Sequence, residues 1–242
     1  MIYGVIGDIH SNYDALTAVI DELQQENVDK ILCVGDIVGY AAEPVACIEL
    51  LIELNCISVA GNHDYAVVDK FPVGYFHADA RAAVFWTREQ LSHIHRNYLQ
   101  KLPLVVELDE ITLVHGSLNH PECFYYIVTE PDAQLSLDLL ETPICFYGHT
   151  HVPLAILLDN GIRYVERGSI IDLNAKEKAL INVGSVGQPR DWDLRACCVV
   201  YDSEKKIVKT KRVKYNIKHA VEKIYEAGLP GINALRLTES IS

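Results

Sequence analysis

Short apolar runs alternate with helically spaced patterns through the first sixty residues of the chain. Residues 2–6 read as a buried strand. Asn12 then stands where a helix cap is expected, ahead of Leu16, Val19, Ile20 and Leu23 at helical spacing. Residues 30–34 make a second strand, and Pro44 suits the first turn of a helix running to about Asn55. A third strand is expected over 57–60. This β-α-β-α-β opening predicts a largely parallel sheet with right-handed crossovers.

The pattern changes between Tyr65 and about Leu102. His77–Tyr98 is mostly helical, with Ala80, Val84, Leu91, Ile94 and Tyr98 among its apolar positions, so residues 65–102 are expected to form a helical insertion. Strand patterns dominate afterwards, at 104–108, 111–114, 144–147, 154–158, 162–166, 180–183, 196–201 and 206–213. Asn160-Gly161 suits a tight hairpin turn between two of them. A last helix is expected over 216–227, closed by Gly228. With no internal repeat or linker, residues 1–242 read as one domain.

The apolar runs share one property: where they stop, metal-ligand chemistry begins. Gly7-Asp8-Ile9-His10 follows the first, and Asp36 follows Ile31–Gly35. Asn62-His63 follows Ile57–Gly61, His115 follows Ile111–Val114, and Gly148-His149-Thr150-His151 follows Ile144–Tyr147. In an α/β sheet, residues just past the carboxyl ends of strands converge on one edge, where ligands bind. Seven or eight potential ligands delivered there suffice for two ions. Mixed nitrogen and oxygen ligation suits Mn, Fe, Zn, Co or Ni better than Ca or an all-oxygen Mg site. Two such ions about 3.5–4 Å apart can polarise a phosphoryl oxygen and lower the pKa of a bridging water.

Composition narrows the setting. The formal net charge of −12 argues against stable nucleic-acid binding or an anionic membrane surface. It leaves room for a small phosphorylated substrate, because two divalent ions would outweigh the two carboxylates, Asp8 and Asp36. No run approaches the roughly 20 apolar residues that span a bilayer. The seven cysteines include no Cys-x-x-Cys, and several lie inside apolar runs, as buried thiols of a reducing compartment do. The chain enters Ile2–Ile6 directly, without a basic leader, and a cytoplasmic location is expected.

Taken in order, Asp8-Ile9-His10, Gly35-Asp36, Gly61-Asn62-His63-Asp64, His115-Gly116 and Gly148-His149-Thr150-His151 resemble the calcineurin-like metallophosphoesterase superfamily over about residues 1–190. The resemblance implies a four-layer α/β/β/α sandwich with a dinuclear site at the sheet edge. It places Asp8, His10, Asp36 and His151 on one metal, and Asp36 (bridging), Asn62, His115 and His149 on the other. It implies phosphoester hydrolysis by a metal-bridging hydroxide, with His63 protonating the leaving oxygen. Asn182–Arg190 resembles a signature of small prokaryotic members, and Arg190 is the candidate substrate-phosphate contact. The chain departs from the serine/threonine phosphatases at Gly39 and Tyr40, where those enzymes carry an aspartate that orients the histidine and an arginine.

Other readings stay open. Singly, Asp8, Asp36 and Asn62 are also ordinary cap or turn residues. Within enzymes the substrate could be a phosphomonoester, a phosphodiester, a nucleotide or dinucleotide polyphosphate, or a phosphoprotein. A metal-binding scaffold without turnover is the alternative from another class. His77, His93, His95, His120 and His219 lie outside the motifs and are expected to be solvated. Tyr13, Tyr40 and the insertion are candidates to line a pocket.

Overall fold

In the computed structural model, which describes residues 1–160 and 162–239, the described residues form two six-stranded sheets packed face to face. The first sheet holds β1 (Ile2–Ile6), β2 (Lys30–Cys33), β3 (Ile57–Ser58), β9 (Ile170–Asp172), β11 (Ala196–Asp202) and β12 (Ile207–Val213), in the order β3-β2-β1-β11-β12-β9. The second holds β4 (Val105–Leu108), β5 (Ile111–Val114), β6 (Ile144–Tyr147), β7 (Leu154–Asp159), β8 (Ile162–Glu166) and β10 (Lys178–Asn182), in the order β4-β5-β6-β10-β7-β8.

Each sheet is mixed. β1, β2 and β3 run parallel, as do β5, β6 and β10, while the remaining pairings are antiparallel. The largely parallel sheet expected from the opening pattern is therefore confined to three strands. β11 arrives from the far end of the chain and pairs antiparallel with β1.

Alternation along β1 explains the layering. Tyr3 and Val5 face Leu113, Phe146 and Ile181 of the other sheet, forming the core between the sheets. Ile6 points the other way, into a core with α1 (Tyr13–Gln25) and α2 (Pro44–Glu53). The Asn12 side chain accepts from the Ala15 amide at 3.1 Å, and α1 buries Leu16, Val19, Ile20 and Leu23. Each such side chain contributes about 1.5–3 kcal/mol by leaving water. On the far side, α6 (Glu130–Leu139) covers the second sheet with Ala133 and Leu137. Helix, sheet, sheet, helix is the expected four-layer sandwich.

The insertion is helical but does not hold one long helix. Ser92 accepts from the His95 amide and starts a new helix, so α4 (Ala78–Gln90) and α5 (His93–Lys101) replace the continuous 77–98 pattern. The third strand, expected over 57–60, spans only Ile57–Ser58, and the short α3 (Asn62–Val67) follows after three intervening residues. Near the carboxyl terminus, α7 (Ile217–Glu226) is capped by Asn216 and followed by Gly228 at φ +68°. It is not the last helix: α8 (Gly231–Thr238) packs Ala234 and Leu237 against it. The Gly161 half of the expected hairpin turn lies outside the described residues. Among the described residues, no helix is long and apolar enough to cross a membrane.

Candidate metal centre

The parallel strands of both sheets end on the same edge, and the candidate ligands meet there. β1 delivers Asp8 and His10, β2 Asp36, α3 Asn62 and His63, β5 His115, and the loop after β6 His149 and His151. Asp8 and His10 meet His151 across the two sheets, and Asp36 meets His115 and His149. A third group joins His10, Asp36 and His63. Within each group the candidate atoms lie within 4.8 Å of one another. Asp36 is shared by the last two groups, as a bridging carboxylate would be.

Convergence depends on unusual backbone. Asp8, His10, Asp36, His149 and His151 all have positive φ, between 50° and 69°. Left-handed non-glycine residues cost on the order of 1–3 kcal/mol each and persist only where surrounding structure fixes them. Here the Asp8 amide donates to Gly35 O at 3.0 Å and the His10 amide to Asp36 O at 3.0 Å, locking the two turns together. The Ser185 hydroxyl holds Asp8 O at 2.7 Å, and the Asn182 side chain holds Gly148 O at 2.8 Å. A side chain at position 61 would place Cβ 2.0 Å from Asp36 Oδ1, so only glycine lets this carboxylate approach.

Hydrogen bonding fixes which nitrogen each imidazole presents. A carbonyl only accepts, so Nδ1 carries the proton in His10 (Val38 O, 3.2 Å), His115 (Val34 O, 2.8 Å) and His151 (Gln188 O, 2.6 Å). Burial holds His10 and His151 below the usual imidazole value, so they are neutral and their Nε2 atoms bear lone pairs. Those two lone pairs face each other at 3.1 Å, and His151 Nε2 also lies 3.3 Å from Asp8 Oδ1. Two facing lone pairs beside a buried carboxylate suit a cation between them. Asn62 Oδ1 is likewise buried without a partner. The donor set and its geometry fit a metal site.

The electrostatics follow from crowding. Burial opposes ionisation of Asp36, but His115, His63 and His10 outweigh it and hold the carboxyl well below its usual range. Burial likewise disfavours charge on His115, yet Asp36 pulls it up to about 9. Burial takes His63 down to about 4. Its Nδ1 is buried without a partner and abuts Gly39, where a Cβ would sit 2.4 Å away. Thus, among the described residues, no carboxylate accepts from Nδ1 of His63. The Tyr40 ring packs beside it instead, centroids 4.6 Å apart.

Other residues surround the candidate ligands. The Asp64 carboxylate accepts from the amides of Ile37, Val38 and Gly61 at 2.9, 3.1 and 3.0 Å and so ties the Asp36 loop to α3. Burial, with Asp36 nearby, pushes Asp64 up to about 7. Tyr126 stacks on His149, centroids 3.9 Å apart. His77, expected to be a solvated bystander, is exposed but stands on the cleft wall with Tyr40 and Arg190. Arg190 donates to Gln188 Oε1 at 2.9 Å and sits 5.8 Å from the Tyr40 ring. Arg236 of α8 lies at the same distance from that ring, and Asn233 holds Tyr40 O at 3.0 Å. Tyr13 packs on the α1 core, outside the cleft. The seven cysteines are free thiols: five are buried, Cys56 is half-buried and Cys123 is exposed.

Residues 1–206 match the calcineurin-like phosphoesterase superfamily domain. The chain belongs to that superfamily. A curated relative, the uncharacterized protein MJ0912 of Methanocaldococcus jannaschii, is 38% identical over 232 residues, 93% of each chain. A crystal structure of a metallophosphoesterase from Sphaerobacter thermophilus superposes with a TM-score of 0.87 at 38% identity over the whole of both chains. The hypothetical protein PH1004 from Pyrococcus horikoshii OT3 shares the fold at 21% identity and a TM-score of 0.83, over 100% of this chain and 99% of that one. α7 and α8 lie beyond the matched domain, so Arg236 and Asn233 reach the site from outside it.

Proposed function

We propose that this phosphoesterase superfamily member uses two transition metal ions, drawn from Mn, Fe, Zn, Co or Ni, to hydrolyse a small phosphorylated substrate in the cytoplasm. Asp8, His10, Asp36 and His151 would hold one ion, and Asp36, Asn62, His115 and His149 the other. The observation that carries this reading is the pair of His Nε2 atoms 3.1 Å apart beside a buried carboxylate, an arrangement that a cation between them would satisfy. When bound, the ions supply Lewis-acid polarisation of the phosphoryl oxygens and an activated water.

The chain's own groups do the rest. Arg190 holds a non-bridging phosphate oxygen, with its Gln188 contact fixing the fork. His63 gives a proton to the leaving oxygen. Negative charge from the bound phosphate opposes the depression that burial imposes on this imidazole. The walls around His63, formed by Tyr40 and Phe76, exclude water from its ring.

The test is hydrolysis of p-nitrophenyl phosphate and bis-p-nitrophenyl phosphate by metal-stripped protein with each metal added back. Turnover that returns with metal and falls to background in Asp36→Asn is expected. Calorimetry showing two bound ions in the wild type would support the dinuclear reading, and a single ion would sink it. Full metal binding without turnover on any ester would favour a scaffold instead.

A further inference from the structure

The cleft above the metal-ligand cluster has two compartments. One, of about 100 Å³, lies over Asp36, His63 and His151 and has room for little beyond a phosphoryl group. The other, of about 620 Å³, opens from it, and Asn62 and His149 border both. Its walls are aromatic: Phe71, Tyr75 and Phe76 from the insertion, and Phe124, Tyr125 and Tyr126 from the loop after β5. Among the described residues, no leucine, isoleucine or valine lines it. We infer that this compartment receives the nucleoside of a nucleotide whose phosphate lies over the metal cluster.

Three features point to a nucleoside. The rings are set as a platform: Phe71 meets Phe124 edge-on at 5.2 Å, bracing the two aromatic segments, and leans on Tyr75 at 5.5 Å. Yet Tyr75 is 80% exposed and Tyr125 53%, so large ring surfaces stand uncovered beside a polar centre. A wall whose exposed apolar surface is mostly aromatic favours a flat π system over an alkyl chain, since stacking rewards parallel faces. Volume then separates aromatic groups, because a cavity of about 150 Å³ already holds benzene. A lone phenyl group would leave most of this compartment empty, whereas a base with its ribose fills far more of it. Lys70 and Glu122 at the wall add a donor and an acceptor for a base edge.

The inference rests on phosphoester hydrolysis at the adjoining cluster. Water adds to phosphorus and gives up one proton to solvent, the bond from phosphorus to the nucleoside oxygen breaks, and the proton from His63 ends on that oxygen, His63 regaining one from solvent. The products are a nucleoside and inorganic phosphate.

Adenosine and uridine, which carry no phosphate, test the compartment without the metals. Titrated calorimetrically into the metal-free full-length protein, each is expected to bind with Kd below about 1 mM. Tyr75→Ala and Tyr125→Ala should each weaken binding about tenfold, the loss of one stacking partner. Both side chains are largely exposed, so neither change empties the core. In the Mn²⁺-loaded enzyme, AMP should be hydrolysed with a higher kcat/KM than glycerol phosphate or phenyl phosphate. The AMP-to-glycerol-phosphate ratio should fall about tenfold in Tyr125→Ala. Absent nucleoside binding, binding untouched by both variants, or a preference for phenyl phosphate would overturn the inference. Nucleoside binding lost in the variants, with no turnover of any ester, would uphold the compartment and remove the hydrolase reading instead.

Discussion

The two compartments of the cleft are built in opposite ways. The small one is made at strand ends: its candidate ligands are nearly all buried, five carry left-handed backbone, and each is tied by hydrogen bonds to a neighbouring turn. The large one is made of loop and insertion: Tyr75, Tyr125 and Tyr126 leave much of their rings uncovered, on a base of buried Phe76 and Phe124. Positioning to a fraction of an ångström requires a rigid support, and the sheets provide it. Recognition of a leaving group tolerates variation, and loops provide that. The difference teaches where change should abolish chemistry and where it should only redirect it.

Substitutions should therefore divide along the same line. Beyond the loss of all turnover expected of Asp36→Asn, His63→Ala should cost roughly 10²–10⁴-fold on a substrate with a poor leaving group. It should cost far less on p-nitrophenyl phosphate, whose leaving group needs no proton. Equal losses on both would remove the acid role. Asp64→Ala strips the acceptor from three buried amides and frees the Asp36 loop. Metal affinity measured by calorimetry should fall about 10–100-fold, and each orphaned amide should cost about 1–3 kcal/mol of stability. Unchanged metal affinity would show that the loop holds itself. Arg190→Ala should weaken inhibition by inorganic phosphate about tenfold, the loss of one charge-assisted hydrogen bond, while metal affinity stays as it was. An unchanged inhibition constant would take Arg190 out of the site. The most selective effects belong to Tyr75→Ala and Tyr125→Ala, which should alter the choice among esters more than the chemistry.

Much of the fold was legible because the local signals were consistent. The Asn12 cap with its 3.6-period stripe, Pro44, and the apolar runs of β1, β2, β5 and β6 each report their own conformation. The shortfalls have physical causes. Ser92 breaks a helical pattern that apolar spacing alone carries through. α6 announces itself only by its cap, Thr129 with Pro131 and Asp132, ahead of a weak apolar stripe. α8 is short, and Gly228 reads as a terminus when it is a turn between two helices.

The sequence by itself determined that seven candidate ligands and His63 follow strands, because a strand end followed by Asp, Asn or His is a local pattern. It also showed a departure, at Gly39 and Tyr40, from the serine/threonine phosphatases it resembles. Only the tertiary structure decided that Asp8 meets His151 and Asp36 meets His115 across two sheets, and which imidazole nitrogen faces inward. It alone brought Arg236 to Tyr40 and Phe71 to Phe124, pairs separated by 196 and 53 positions in the chain. Ligand type is written in single residues, whereas proximity depends on how two sheets register and pack, and no local pattern encodes that.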